Sequence, residues 1–211
     1  MKKTMLLVGL LSVLAGCGGE DNAAAGKVVG NKVAAVIQPG VVPDKAMLLE
    51  DAKNAVKMLG GTLKGELQAA MRSGGPVQAL SACNSKAPEI AKMIAEEQHV
   101  QVARVSLRNR NPASAPNEWQ AAVLKDFEQR KAKGEPVESL VYSEEVKQAG
   151  THEFRFMKAI PTEPLCLTCH GTEISPAITT KLTELYPQDK ATGFKEGDLR
   201  GAFVVVRNLS Q

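Results

Sequence analysis

Three side chains that can bind or react lie together in one pentapeptide, Cys166-Leu167-Thr168-Cys169-His170. Two cysteines three positions apart, followed directly by a histidine, are typical of c-type haem attachment. Each thiol can add to one vinyl group on the same porphyrin edge, and the adjacent imidazole is then placed to ligate the iron. The pentapeptide therefore predicts one covalent haem c, bonded through Cys166 and Cys169, with His170 as an iron ligand.

Other uses of a Cys-x-x-Cys pair fit the sequence less well. A structural zinc site would need a second pair of ligands at regular spacing, whereas Cys83, His99 and His152 are widely scattered. A thioredoxin-like redox pair favours a βαβ context, which the pattern of apolar residues does not predict. A purely structural disulfide would leave His170 without a role.

The ligand on the iron face opposite His170 decides between an electron carrier, a sensor and an enzyme. Cys83 is a candidate, although on spacing alone a plain buried cysteine that behaves as a small apolar residue is the more common case. The remaining candidates are His99, His152, Met71, Met93 and Met157. Arg108 and Arg110 are candidates to pair with the haem propionates, because guanidinium suits a carboxylate; solvated loop charges are the alternative.

The first residues have the order of a secretory signal, two lysines followed by a short apolar run, so residues 1–16 are excluded from the fold. The run ends in Leu14-Ala15-Gly16-Cys17, which resembles a bacterial lipobox and predicts acylation of Cys17. The alternatives are an ordinary signal peptide or an uncleaved membrane helix, for which the run is too short. We expect a lipid-anchored protein on the periplasmic side of a membrane, more readily the outer one given Gly18, with residues 17–43 as a flexible tether.

Composition excludes some functions and bounds the size of the fold. Removal of the signal takes away two lysines, so the formal charge falls by two, from +3 to +1. A near-neutral chain without a basic stripe argues against nucleic-acid binding. Residues 44–211 are within the usual size of one domain.

Apolar residues recur every three or four positions after Asp44, which predicts a long helix capped by Asp44, with Gly60-Gly61 as its weak point. A second helical segment is predicted to begin at Pro76, because proline is tolerated in a first turn. Cys83 faces inward on this segment. Pro88 predicts a kink or restart just after Cys83, because it lacks a backbone N–H.

The second half of the chain predicts antiparallel strands with helices between them, an α+β class. Asn117 is expected to cap a helix, and the turn at Ala149-Gly150 predicts a β-hairpin. The predicted strands lie near residues 100–107, 140–146, 152–160 and 202–206, with a loop over 108–112 and a short helix that includes Ile178 and Leu182.

Several blocks of the chain resemble, in order and spacing, the PAS-like c-type haem domain family over about residues 45–208. They are Ala82-Cys83, Ala87-Pro88-Glu89-Ile90-Ala91, Arg108-Asn109-Arg110-Asn111-Pro112, Trp119, Cys166-Leu167-Thr168-Cys169-His170-Gly171, Tyr186-Pro187-Gln188-Asp189-Lys190-Ala191 and Gly197-Asp198-Leu199-Arg200-Gly201-Ala202. The resemblance implies a PAS-like antiparallel sheet flanked by helices, and an iron ligated by His170 and Cys83. Ser114 departs from the family, whose loop tends to carry asparagine there.

Two functions follow as hypotheses. The first is a redox or diatomic-gas sensor in which Cys83 leaves the iron on reduction and a separate redox or signalling protein reads the change. The second is a membrane-tethered electron-transfer cytochrome c. An enzyme with peroxidase-like turnover is disfavoured, because no distal acid/base pair is readable from the sequence.

Overall fold

The computed structural model describes residues 43–148 and 150–210, so Cys17, the signal and nearly all of the tether lie outside the described residues. The elements, in chain order, are α1 (Lys45–Gln98), β1 (Gln101–Val105), α2 (Glu118–Ala132), β2 (Val141–Gln148), β3 (Thr151–Pro161), α3 (Pro164–His170), α4 (Pro176–Leu185) and β4 (Leu199–Asn208). Short 3-10 turns lie at Pro112–Ser114 and Val137–Ser139. In this part of the chain, no helix is both long and apolar enough to cross a membrane.

The four strands form one antiparallel sheet in the order β1-β4-β3-β2. Alternate residues point to opposite faces of a sheet, so Phe154 and Val205 lie on one face and Met157 and Val204 on the other. The first face packs against α1, and the second packs against α2 through Phe127. Helices therefore flank an antiparallel sheet, which confirms the predicted α+β class.

Helix α1 is a helical hairpin with a sharp reversal at Gly75. This residue alone in the helix has non-helical dihedrals, φ 71° and ψ −170°, a left-handed conformation that glycine adopts without penalty. Glu66 and Lys86 form an ion pair although they are 20 positions apart, and a straight helix would separate them by about 30 Å. Residues 45–74, the first arm, and residues 76–98, the second arm, therefore run side by side.

This geometry confirms two predictions and corrects two. The N-cap is Asp44, whose side chain accepts from the Met47 N–H at 2.8 Å, and the second arm begins at Pro76. The expected weak point at Gly60-Gly61 is wrong: both residues are helical, and a Cβ at Gly60 would lie 3.0 Å from Phe203 Cζ. Gly60 thus lets the helix approach the sheet. The restart expected beside Pro88 is also absent, because the backbone there stays helical and Gly75 provides the reversal.

The remaining element predictions agree with the structure. Asn117 caps α2 in a reciprocal capping box with Gln120, the arrangement that satisfies two N-terminal N–H groups. Strands β2 and β3 form the predicted hairpin, with Tyr142 opposite Met157.

Replacement of Gly201 by alanine is expected to destabilise the sheet strongly. A Cβ at this position, where φ is 156°, would lie 2.3 Å from the Val105 carbonyl oxygen of the neighbouring strand. Backbone atoms cannot move aside cheaply, so we expect a loss of about 2 kcal/mol or more in the free energy of unfolding, measured by urea denaturation.

Gly65→Ala is the matched control, because nothing lies within 4 Å of its Cβ position in the helix. Alanine there favours the helix by about 0.5–1 kcal/mol. Equal unfolding midpoints for the two variants would contradict the predicted close approach of β1 and β4.

Candidate functional site

The two thiols of the pentapeptide lie on a short helix, α3, which the sequence reasoning did not predict. Pro164 occupies its first turn, where a missing N–H costs nothing. Cys166 and Cys169 are three positions apart and so share one side of the helix; both are partly exposed and not in a disulfide. The helix ends at Gly171, where a Cβ would lie 2.6 Å from the Leu167 carbonyl oxygen. Glycine is therefore required directly after His170.

His170 is a neutral imidazole, and one of its two ring nitrogens is occupied by a hydrogen bond. Its Nδ1 lies 2.6 Å from the Ala191 carbonyl oxygen, which can only accept, so Nδ1 carries the proton and Nε2 keeps its lone pair. Burial, followed by the charges of Arg200 and Arg110, lowers the pKa of His170 to about 2. The Phe194 ring stands edge-on to the imidazole with 6.2 Å between centroids. A neutral, oriented imidazole is the form that binds metals.

Arg110 is buried beside this histidine. Its Nε lies 3.0 Å from Asp189 Oδ2, and its Nη2 donates to the Cys169 carbonyl at 2.5 Å and the Ala191 carbonyl at 3.1 Å. Arg108 is exposed: its guanidinium lies 4.0 Å from the centroid of the Phe194 ring and donates to the Thr192 carbonyl. Both arginines thus have protein partners, and their contact with haem propionates stays a prediction.

Cys83 lies on the second arm of α1, where that arm meets α4. Leu80, one turn earlier, packs with Ile178 and Leu182, and Cys169 contacts the same apolar cluster. Cys83 is half-buried. Burial raises its pKa, while the charges of Arg104 and Arg110 oppose that rise. The charge of Cys83 in turn contributes to the raised pKa of Cys169, after burial. The fold therefore brings Cys83 into the neighbourhood of the pentapeptide.

The comparisons with known proteins identify the family and support the fold. A sequence model of the Tll0287-like family matches residues 24–207. The chain belongs to the Tll0287-like family. The crystal structure of the cyanobacterial haem protein Tll0287 matches with a TM-score of 0.60 and 25% identity, over 80% of this chain and 99% of that one. No curated protein matches significantly. The predicted PAS-like haem domain family is thereby confirmed, whereas acylation of Cys17 stays a prediction.

Two further cations of this Tll0287-like chain lie near the pentapeptide and were missed in the sequence. Arg104 is on β1, opposite Phe203, and its charge acts on both Cys83 and His170. Arg200 lies at the start of β4, 5.3 Å from the Phe194 centroid, and burial lowers its pKa to about 10. Among the described residues, neither forms an ion pair. The alternation of residues along β1 could have indicated Arg104 in the sequence, because it places Arg104 on the same face of the sheet as the core residue Val102.

The other residues considered as a sixth ligand have different positions in the Tll0287-like fold. Met157 is fully buried on the sheet face that packs against α2, and Met93 is half exposed on the second arm. His99 is the C-cap of α1, with φ 52°, and His152 Nε2 lies 2.7 Å from Glu145 Oε1. Met71 lies on the first arm. In the part of the chain that the structure describes, no cluster of three or more His, Cys, Asp and Glu side chains is arranged to hold a bare metal ion.

The donor set of this Tll0287-like chain fits a haem. Two unlinked thiols on one side of α3 would suit addition to two vinyl groups, and the free Nε2 of His170 would suit a bond to iron. The nearby Cys83 thiol belongs to a residue type that can also ligate iron. Arg104 and Arg200 are cations without an ion-pair partner among the described residues, and a guanidinium suits a propionate carboxylate.

Proposed function

We propose that this chain carries one covalent haem c and senses redox state or a diatomic gas through it. Cys166 and Cys169 would form the thioethers, and His170 and Cys83 would ligate the iron. The observation that carries the proposal is the neutral His170, with Nδ1 bonded to Ala191 and Nε2 available, directly beside two free thiols. The similarity to a cyanobacterial haem protein supports it.

Arg104, Arg108 and Arg200 are the candidates for the haem propionates, and Arg110 is a weaker one. Arg110 already pairs with Asp189 and donates to two carbonyl groups. Arg108 and Arg200 both lie over the Phe194 ring. None of these three candidates has a carboxylate partner among the described residues, so a propionate would neutralise a charge that is otherwise unpaired.

Sensing is preferred because Cys83 is suited to leave the iron. When bound, the haem would supply a one-electron couple and an iron that can bind a small gas. A thiolate favours ferric iron, and burial, which raises the pKa of Cys83, favours the neutral thiol once that bond weakens. Such a thiol is a poor ligand, so reduction would open a position for a gas such as carbon monoxide.

The proposal includes attachment to the periplasmic side of a bacterial membrane, preferentially the outer one, through acylated Cys17 and the tether. A sensor of this kind would pass its state to a separate redox or signalling protein. No enzymatic activity and no nucleic-acid contact are part of the proposal.

The test is a titration of the haem-loaded protein with carbon monoxide, followed by optical spectroscopy. We expect the reduced protein to bind carbon monoxide and the oxidised protein not to bind it. A reduced spectrum that stays low-spin and unchanged by carbon monoxide would instead favour electron transfer, the second hypothesis, because a permanently six-coordinate iron suits that role.

A further inference from the structure

One carbonyl oxygen connects His170 to a buried ion pair. The Ala191 oxygen lies 2.6 Å from His170 Nδ1 and also accepts from Arg110 Nη2 at 3.1 Å. Arg110 is paired through Nε with Asp189 Oδ2 at 3.0 Å, and Asp189 Oδ1 accepts from the Ala191 N–H at 2.8 Å. The side chains of Arg110 and Asp189 are only 9% and 12% exposed. The pair therefore acts on His170 from a site shielded from water.

We propose that Arg110 and Asp189 are positioning residues that set, with opposite signs, how strongly His170 donates electrons to the iron. This inference rests on the proposed haem function and assigns Arg110 a role other than propionate binding. The structure points to it because Arg110 and the imidazole share one acceptor, whereas a propionate contact would need the guanidinium to face the cofactor.

Because Arg110 and His170 bond to the same Ala191 carbonyl oxygen, the direction in which Arg110 changes electron donation by His170 can be derived. A strong Nδ1–H···O hydrogen bond makes the imidazole a better donor to the metal. A guanidinium bonded to the same oxygen draws electron density from the carbonyl and weakens it as an acceptor for His170. Asp189 opposes this by offsetting the positive charge of Arg110. At low exposure both influences are weakly screened.

Opposite shifts of the reduction potential follow for two changes that each remove one charge of the pair. Arg110→Gln removes the competing cation and leaves the Asp189 carboxylate uncompensated, so ferric iron is favoured and the potential falls. Asp189→Asn leaves the Arg110 charge uncompensated, so the potential rises. We expect each change to alter the ferric/ferrous equilibrium roughly tenfold, which is about 59 mV for a one-electron couple. The double variant is expected near the wild-type value.

The experiment is a spectroelectrochemical titration of the haem-loaded full chain and these three variants. The matched controls are Arg130→Gln and Glu135→Gln, which break a similar arginine–carboxylate pair at the end of α2 and are expected to leave the potential unchanged. Electron paramagnetic resonance of the ferric proteins provides a second measurement. If Arg110 and Asp189 only supported the structure around His170, both single variants would shift the reduction potential in the same direction.

Shifts of the same sign, or shifts no larger than those of the controls, would overturn the proposal. If Arg110→Gln loses its haem, the sign of the shift in reduction potential caused by Asp189→Asn decides instead. Arg110→Lys keeps the positive charge, so its reduction potential is expected to lie nearer the wild-type value than that of Asp189→Asn. A wild-type protein that carries no haem would refute the proposed function itself, which is a distinguishable result.

Discussion

Replacement of both Cys166 and Cys169 by alanine is expected to abolish the covalent link between haem and polypeptide. The two thiols share one side of α3, and Cys169 directly precedes His170, so each thiol is placed to form one thioether. After export with haem-attachment machinery and denaturation, we expect the wild-type polypeptide to retain its pigment in an acidified organic solvent and on a denaturing gel. The double variant is expected to lose it completely.

The single variants make this test sharper. Cys166→Ala and Cys169→Ala each leave one thiol, so a single thioether is expected, with an altered spectrum of the pyridine complex. Cys83→Ala is the control: it removes a cysteine from the same neighbourhood and is expected to keep the pigment fully attached. Pigment that resists extraction from the double variant would rule out attachment at the pentapeptide.

Cys83→Ser is expected to produce the largest change in the iron itself. A hydroxyl is a much weaker ligand for ferric iron than a thiolate, so the sulfur-ligated low-spin signal is expected to disappear from the optical and electron paramagnetic resonance spectra. Loss of the thiolate also removes its preference for ferric iron. We therefore expect the ferric/ferrous equilibrium to move at least tenfold toward ferrous, a rise of about 59 mV or more in the potential.

Met93→Leu is the matched control for this change. Met93 lies on the same arm of α1 and is half exposed, so its replacement is expected to leave both spectra unchanged. If Cys83→Ser retained the wild-type ferric spectrum while Met93→Leu altered it, the sixth ligand would have to be reassigned.

The elements with local signals were predictable, whereas those that depend on distant contacts were not. Apolar periodicity and the caps at Asp44 and Asn117 predicted the helices, and alternation predicted the hairpin, because these patterns depend on near neighbours. Gly60-Gly61 was misjudged because the approach of Phe203, far along the chain, explains Gly60. A sequence shows a glycine but not which surface needs it.

In the candidate haem site, too, local patterns could be predicted from the sequence and contacts between distant residues could not. The spacing within the pentapeptide predicted the thiols and His170, and the family resemblance predicted Cys83. For Arg110 the sequence suggested contact with a haem propionate, which stays a prediction, but it did not indicate the pairing with Asp189, 79 positions away. No local pattern can show that these two side chains meet, or that the Ala191 carbonyl lies between them and the imidazole.

The reversal at Gly75 has a consequence for the order in which the molecule folds. The two arms of α1 touch through residues only about 20 positions apart, as Glu66 and Lys86 do, whereas Val102 of β1 pairs with Val205, about a hundred positions later. Chain segments that are close in sequence lose less entropy when they meet, and such contacts form faster. We therefore expect the helical hairpin to be an early folding unit, which then serves as a surface on which the slower, long-range strand pairing is completed.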